Sequence, residues 1–265
     1  MDAVPALGLV VVGLLGLLIG SFLNVVIWRV PRGESVVAPP SACPSCEQRI
    51  AWYDNVPVVS WIVLRGRCRR CGAKISPRYL VVELLTGALF VGTVLVVGWT
   101  PALPAFLYLA ALSIALAAID IDVHRLPDAI VLPSYPVAAV LLALASWDVG
   151  QGYDAGALLR AVIGGVALFV LYLVLVLVNP RGMGLGDLKL AGVLGMYLGW
   201  VGWGALAVGA FAAFLLGGVF GIVLMVVGRA GRKTQVPFGP WMLLGAAVGV
   251  AVGQPLADGY VALVM

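Results

Sequence analysis

Two aspartates lie at the ends of apolar segments, where a carboxylate could do chemistry. Asp120 lies near the end of one segment, and Asp187 begins another after a run of glycines. Acidic side chains within a membrane span or at its end are costly and usually functional. In surroundings of low dielectric constant two neighbouring carboxylates do not both ionise, so one keeps a proton while the other acts as a base on water. The pair therefore predicts aspartic-protease chemistry, with Asp120 and Asp187 as the catalytic residues.

The glycines before Asp187 predict close contact with a substrate. Gly184 and Gly186 carry no side chain, so an extended substrate backbone could approach the acid closely. We therefore expect both glycines to bind substrate.

Other charged residues near Asp120 have simpler interpretations. Asp128 follows Pro127 at a predicted helix start, which suits a cap or a partner of the helix dipole. Asp122 suits a solvated loop, and His124, the one histidine of the chain, suits the membrane interface.

Four cysteines form two pairs with the spacing of metal ligands. Cys43-Pro-Ser-Cys46 and Cys68-Arg-Arg-Cys71 are separated by the 21 residues from Glu47 to Arg67. Two such knuckles can place four thiolates around one zinc ion, and four cysteines leave no open position for water, so the metal would be structural. Gly66 and Gly72 flank the second knuckle, where tight turns favour a residue that tolerates positive φ. The alternative is two disulfides, which a reducing cytosol would disfavour.

These residues must be positioned by membrane helices. Hydrophobic residues make up 63% of the 265 positions and charged residues 11%, against roughly 25% charged residues in soluble proteins. A membrane span needs about 20 apolar residues. The first apolar segment lacks the basic start and the cleavage site of a secretory signal, so we expect it to be retained as a span. The predicted fold is an all-α polytopic membrane protein of about eight transmembrane helices. The predicted spans are 6–28, 79–97, 103–119, 129–146, 158–178, two within 188–227 that separate at 199–204, and a last one from Pro237 or Pro240 toward 256.

Three parts follow from this division. Residues 1–28 form the first span, residues 29–79 a small zinc-binding cytoplasmic domain, and residues 80–265 a membrane-embedded domain that carries both aspartates.

The charges predict the orientation of the spans. Residues 29–79, the polar segment, hold nine basic and three acidic residues. If this segment lies in the cytoplasm, fifteen of the sixteen Lys and Arg residues fall on that side, and Arg160 is the exception. Because loops rich in Lys and Arg stay in the cytoplasm, both termini should face outward. The net charge of +4 therefore reflects topology and does not indicate nucleic acid as a partner. The other cytoplasmic basic residues would be Arg125, Arg181, Lys189, Arg229, Arg232 and Lys233, and the outer acidic ones Asp2, Asp148, Asp154 and Asp258.

The chain resembles the bifunctional type IV prepilin peptidases, a family of GxGD-type membrane aspartyl proteases. The matching blocks occur in the family's order along nearly the whole chain. They are Gly20-Ser21-Phe22-Leu23-Asn24-Val25-Val26, the two knuckles, Asn55-Val56-Pro57-Val58-Val59-Ser60-Trp61, Arg78-Tyr79, Val82-Glu83-Leu84-Leu85-Thr86-Gly87, Ile119-Asp120, Leu126-Pro127-Asp128, Gly182-Met183-Gly184-Leu185-Gly186-Asp187 and Pro237-Phe238-Gly239-Pro240. The chain departs from the family in having Leu80 where proline often follows the tyrosine, and in a short polar segment before the first knuckle.

The resemblance implies a function. Asp120 and Asp187 would cleave the leader of prepilins or pseudopilins, proteins of type IV pili and of secretion systems, at the cytoplasmic face of the bacterial inner membrane. The polar segment would methylate the new N-terminus with S-adenosylmethionine, and Glu83 could contact that donor or make a buried structural hydrogen bond. One alternative is a proton-coupled transporter that uses the aspartate pair, although the spans show no matched repeat. Another is a membrane scaffold whose zinc knuckles bind a partner.

Overall fold

The structure is a computed structural model that describes residues 6–148, 152–180, 183–228, 231 and 237–264. The chain divides into two compact units, Met1–Ala115 and Leu116–Met265. Several residues used in the sequence analysis lie outside the described residues: Asp2, Arg181, Gly182, Arg229, Arg232 and Lys233.

The described residues confirm a mainly helical membrane protein. Seven helical segments are long and apolar enough to cross a membrane, and the predicted sixth span corresponds to α7, which is shorter than these at 17 residues, or about 25 Å. The only regular strands in the described part of the chain form a two-residue hairpin, β1 (Trp147–Asp148) with β2 (Gly152–Tyr153). The helices are α1 (Ala6–Arg29), α2 (Val59–Val63), α3 (Pro77–Val97), α4 (Leu103–Val123), α5 (Asp128–Ala145), α6 (Ala155–Val178), α7 (Leu185–Val201), α8 (Trp203–Val226), α9 (Gly239–Val248) and α10 (Gln254–Val264), with a π-helical turn Gly249–Gly253 between the last two.

Some helix ends differ from the predicted ones. The third span continues past 119 to Val123, so Asp120 lies within the last turn of α4 and not after it. Helix α6 starts three residues early, because the Asp154 side chain accepts a hydrogen bond from the Ala157 N–H at 2.9 Å and caps it. The last span extends to Val264 instead of ending near 256. The predicted break within 188–227 is confirmed at Gly202, between α7 and α8.

In the first unit, α1 and α3 pack through small residues. A Cβ atom on Gly16 would lie 2.8 Å from the Gly87 Cα, and one on Gly20 would lie 2.8 Å from the Glu83 Cα. Glycine is therefore required for these backbones to approach so closely, as at other helix pairs in membranes. The polar segment between these helices contains a 3₁₀ turn, Trp52–Asn55, and the short helix α2.

In the second unit, α7 forms the core. Ten of its residues are buried, and a helix that is apolar all round belongs inside a bundle. Helix α6 lies against it so closely that a Cβ on Gly164 would be 2.5 Å from the Gly195 carbonyl oxygen. The helix that carries the predicted catalytic Asp187 in its first turn is thus enclosed by protein.

Candidate active site and metal centre

Asp120 is a buried carboxylate that is held by a helix N-terminus. Its side chain is 5% exposed, and its Oδ2 accepts a hydrogen bond from the Gly239 N–H at 3.0 Å. Gly239 is the first residue of α9, and the free N–H groups of a first helical turn favour a negative charge. The position of Asp120 at the end of α4 is thereby fixed from a second helix.

Asp187 is also held at a helix N-terminus, that of its own helix. It is the third residue of α7, and its Oδ2 accepts a hydrogen bond from the N–H of Gly184, the N-cap residue, at 3.2 Å. This is the carboxylate half of a capping box. The Asp120 and Asp187 carboxylates lie close enough to interact electrostatically. The structure therefore brings the two predicted residues together, while their catalytic role stays a prediction.

Gly186 has a packing role that the sequence did not reveal. A Cβ on Gly186 would lie 2.8 Å from the Leu126 Cβ and 3.3 Å from the Leu126 backbone nitrogen. The loop after α4 therefore rests directly on the first turn of α7. Packing against Leu126 therefore explains the need for glycine at position 186. Contact of Gly184 and Gly186 with substrate stays a prediction.

Asp128 does more than the sequence suggested. It lies in the first turn of α5, as expected for a dipole partner. Its two carboxylate oxygens also accept from the Lys189 Nζ at 2.7 and 2.8 Å. The Tyr135 hydroxyl, also on α5, donates to the Lys189 carbonyl at 2.6 Å. Helix α5 therefore holds the first turns of α7, which carry Asp187. The only indication of this contact in the sequence was Lys189, two positions after Asp187.

Asp122 and His124 lie at the surface, but the predicted loop position of Asp122 is wrong, because α4 continues to Val123. Both are exposed. The His124 N–H donates to the Asp120 carbonyl at 2.9 Å, and its φ of 51° is left-handed, so His124 ends α4.

An aromatic cluster next to the carboxylates was not singled out from the sequence. Tyr172 of α6 is 1% exposed, and its ring centroid lies 5.5 Å from that of Phe214 and 6.4 Å from that of Phe238. Phe238 directly precedes Gly239, the donor to Asp120, and Tyr172 interacts electrostatically with Asp187. The cluster therefore lies beside both carboxylates. The Pro237-Phe238-Gly239-Pro240 block was the sequence signal for this region.

The four cysteines converge in the first unit. Their sulfur atoms all lie within 4.8 Å of one another, and the Cys43 and Cys71 sulfurs are 3.8 Å apart. A tetrahedral zinc site with Zn–S bonds of about 2.3 Å requires sulfurs about 3.8 Å apart. All four are free thiols, so the geometry fits zinc and not the alternative of two disulfides.

The two knuckles have the same backbone geometry. The Cys43 N–H donates to the Gln48 carbonyl at 3.0 Å, and the Cys68 N–H donates to the Ala73 carbonyl at 2.8 Å. Glu47 (φ 56°) and Gly72 (φ 71°) occupy equivalent left-handed positions. The prediction of positive φ at Gly72 is confirmed, and so is that at Gly66 (φ 64°).

Backbone N–H groups, burial and neighbouring sulfurs shift the pKa values of the Cys43 and Cys71 thiols in opposite directions. Backbone N–H groups of Ser45 and then Cys46 lower the pKa of the Cys43 thiol from its usual 9.0 to about 6. The Ala73 N–H lowers the pKa of Cys71, but burial and the three neighbouring sulfurs outweigh it and raise that pKa to about 11. Four sulfurs this close ionise together only when a cation compensates their charge, which is what a thiolate metal site provides.

An ion pair joins the second knuckle to the turn Trp52–Asn55. The Arg69 guanidinium donates to both carboxylate oxygens of Asp54, at 2.6 Å from Nη2 to Oδ1 and 2.9 Å from Nε to Oδ2. This hydrogen bonding lowers the pKa of the Asp54 carboxyl and raises that of Arg69. The ion pair thus connects the second knuckle, which supplies two of the four predicted metal ligands, to residues 52–55.

Two family models match most of the chain. Residues 14–97 match the bacterial peptidase A24 N-terminal domain, and residues 107–226 match the type IV leader peptidase family. No solved structure is significantly similar.

Curated relatives share this assignment, and each is named a prepilin leader peptidase/N-methyltransferase. The chain is 42% identical to the protein of Myxococcus xanthus over 223 residues, which is 83% of this chain and 64% of that protein. It is 33% identical to the protein of Stutzerimonas stutzeri, covering 93% of this chain and 91% of the relative. It is 36% identical to the protein of Dickeya chrysanthemi, covering 94% of each. The chain therefore belongs to the type IV leader peptidase family.

Proposed function

We propose that the chain is a membrane aspartyl endopeptidase that removes the leader of prepilins or pseudopilins, with Asp120 and Asp187 as its catalytic residues. The observation that carries the proposal is that the buried Asp120 carboxylate and the partly buried Asp187 carboxylate, 67 positions apart in sequence, come together at helix N-termini. Each has one oxygen fixed by the N–H of a glycine. Membership of a peptidase family supports this function and disfavours the transporter and scaffold alternatives.

The reaction needs one ionised and one protonated carboxyl group. The ionised carboxylate takes a proton from water while the water oxygen bonds to the scissile carbonyl carbon. The protonated carboxyl gives its proton to the carbonyl oxygen, which yields a neutral tetrahedral diol. As the C–N bond breaks, the leaving nitrogen takes a proton from the carboxyl that gained one, and the other carboxylate regains its own from the diol. Fixing one oxygen of each aspartate leaves the second oxygen oriented for these transfers.

The second activity is methylation of the new N-terminal amine. The relatives' shared name supports it, with S-adenosylmethionine as the donor and the segment 29–79 as the domain. Zinc held by Cys43, Cys46, Cys68 and Cys71 would fix the fold of that domain, since four thiolates leave no position for a reactant. The chemistry that zinc supplies there is structural.

The protein lies in the inner membrane with its active site at the cytoplasmic face and both termini outside. The supporting argument is that this orientation puts fifteen of the sixteen Lys and Arg residues on the cytoplasmic side. A periplasm-active reporter fused near Asp54 should be silent and one fused near Asp148 active; the reverse pattern would overturn this orientation.

Asparagine substitutions test the peptidase directly. Asp120→Asn and Asp187→Asn keep size and hydrogen bonding but remove the exchangeable acid. Each should bind prepilin yet lose at least about a thousandfold in cleavage rate, the scale of losing a general acid–base partner. The matched control is Asp122→Asn, an exposed carboxylate two residues from Asp120, which should do less harm. Near wild-type cleavage by Asp187→Asn, measured by intact mass, would refute the proposal.

A further inference from the structure

A cleft in the first unit is formed by the last turns of α1 and the polar segment. Its volume is about 300 Å³, within the range of ~300–1,000 Å³ typical of small-molecule sites. Its walls expose polar and apolar surface in about equal measure and include a guanidinium and a side-chain amide. We call it the α1 cleft, and among its lining residues are Phe22, Arg29, Val37, Pro39, Asn55 and Pro57.

The polar segment is held over α1 by Arg29. The Arg29 guanidinium donates to the Ser35 carbonyl at 2.9 Å and to the Pro39 carbonyl at 2.7 Å. A second part of the wall, Asn55 to Pro57, is held by Ser60, whose hydroxyl donates to the Tyr53 carbonyl at 2.9 Å and accepts from the Val56 N–H at 3.1 Å. The cleft is therefore a built feature with two anchored walls.

A buried carboxylate lies behind that wall. Glu83 of α3 is 8% exposed, and its Oε2 accepts from the Val58 N–H at 2.7 Å. Val58 follows the lining residue Pro57 and has φ 62° and ψ −53°, which is strained for a β-branched side chain. Such strain persists where the surroundings impose it and is frequent at functional sites.

The charge of Glu83 has no counter-cation. Within the part of the chain that the structure describes, no Lys or Arg side chain forms an ion pair with it. Burying a carboxylate without a counter-cation is costly. The α1 cleft thus has a guanidinium in one wall and, behind the other, a buried carboxyl group without an ion-pair partner.

We propose that the α1 cleft binds the methyl donor, with Glu83 as a positioning residue that fixes the Asn55–Val58 wall and favours the donor's sulfonium cation. This inference rests on the proposed N-methylation. The donor is one small molecule that carries both a carboxylate and a sulfonium. The carboxylate could bind the Arg29 guanidinium, and the sulfonium would be favoured on the side of Glu83. An anionic lipid headgroup would find the guanidinium but would be repelled by the carboxylate.

Two non-reacting probes separate charge recognition from shape. Sinefungin carries an ammonium in place of the sulfonium, whereas S-adenosylhomocysteine is neutral there. Glu83→Gln should weaken sinefungin binding to the full-length protein in detergent about tenfold, and S-adenosylhomocysteine binding by less than about threefold. Glu34→Gln, an exposed carboxylate of the same segment, is the control and should change neither affinity. Equal weakening of both probes by Glu83→Gln would show a purely structural role and overturn the assignment.

A larger side chain in the cleft tests whether the donor binds there, independently of Glu83. Phe22 is 51% exposed, so Phe22→Trp should leave the fold intact, as monodisperse elution would verify, and should weaken both probes. Unchanged affinity of this variant would overturn the location, even where the wild type methylates pilin. Failure of the wild type to bind either probe or to methylate cleaved pilin would instead refute the N-methylation itself.

Discussion

Replacing Gly239 by alanine should disturb Asp120 without touching its side chain. A Cβ on Gly239 would lie 2.7 Å from the Asp120 Oδ2 and 3.3 Å from its Cγ, so the carboxylate must move away from the Gly239 N–H. The contact with Leu126 Cδ2, at 3.4 Å, is ordinary and requires no movement. The substitution therefore acts chiefly on one hydrogen bond, which is 3.0 Å long and buried.

The expected loss follows from the value of that bond. Hydrogen bonds to charged groups contribute about 1.5–3 kcal/mol, and each 1.36 kcal/mol corresponds to about a tenfold change in rate. If the bond is fully lost in the transition state, kcat for leader cleavage should fall by about 10- to 150-fold. KM should change little, because the bond orients a reacting group and does not hold the substrate.

The assay is cleavage of a purified prepilin by the full-length protein, followed by intact mass over time. Gly218→Ala is the matched control, because Gly218 lies in α8 and a Cβ there meets nothing within 4 Å. That control should keep wild-type kcat and become slightly more stable, by roughly 0.5–1 kcal/mol. A folded Gly239→Ala protein that cleaves within about twofold of wild type would refute the claim that this bond positions Asp120.

Three further predictions concern the polar segment. Cys68→Ser should lower the zinc content from one ion per chain and lower the Tm, because it leaves the ligand set incomplete; a metal-free wild-type protein with an ordered segment would contradict the zinc assignment. Because Arg69 lowers the pKa of Asp54, the Asp54–Arg69 ion pair should stabilise the folded protein fully above the unfolded-state pKa of about 4. This stabilisation should be lost as the pH falls through the lower pKa of the folded state. The Tm difference between wild type and Asp54→Asn should therefore be complete at pH 7 and should shrink as the pH falls below about 4, and a difference independent of pH would contradict the ion-pair explanation. Glu47→Gly should stabilise the segment by about 1 kcal/mol, since Glu47 occupies the left-handed position that Gly72 fills in the second knuckle; a lower Tm would show that the Glu47 side chain has an unrecognised contact.

Much of the architecture was predictable because it depends on local sequence. Apolar runs of about 20 residues determine spans whatever their neighbours are, so most of the helices were predicted correctly in number and approximate position. The Cys-x-x-Cys spacing also determines the knuckle turn locally, and both knuckles show the same backbone bonds. Helix ends were less predictable, because capping by a side chain such as Asp154 depends on single hydrogen bonds.

The sequence by itself determined that this is a membrane protein with two acidic residues at span ends and a four-cysteine centre. Only the tertiary structure decided which groups complete the site. The Gly239 N–H reaches Asp120 across 119 positions of sequence, Leu126 occupies the space that Gly186 leaves open, and Glu83 supports Val58 from another helix. No periodicity or propensity encodes these contacts. They exist because close packing of helices forces particular backbone atoms together, and packing depends on the whole arrangement of side chains and not on any one segment.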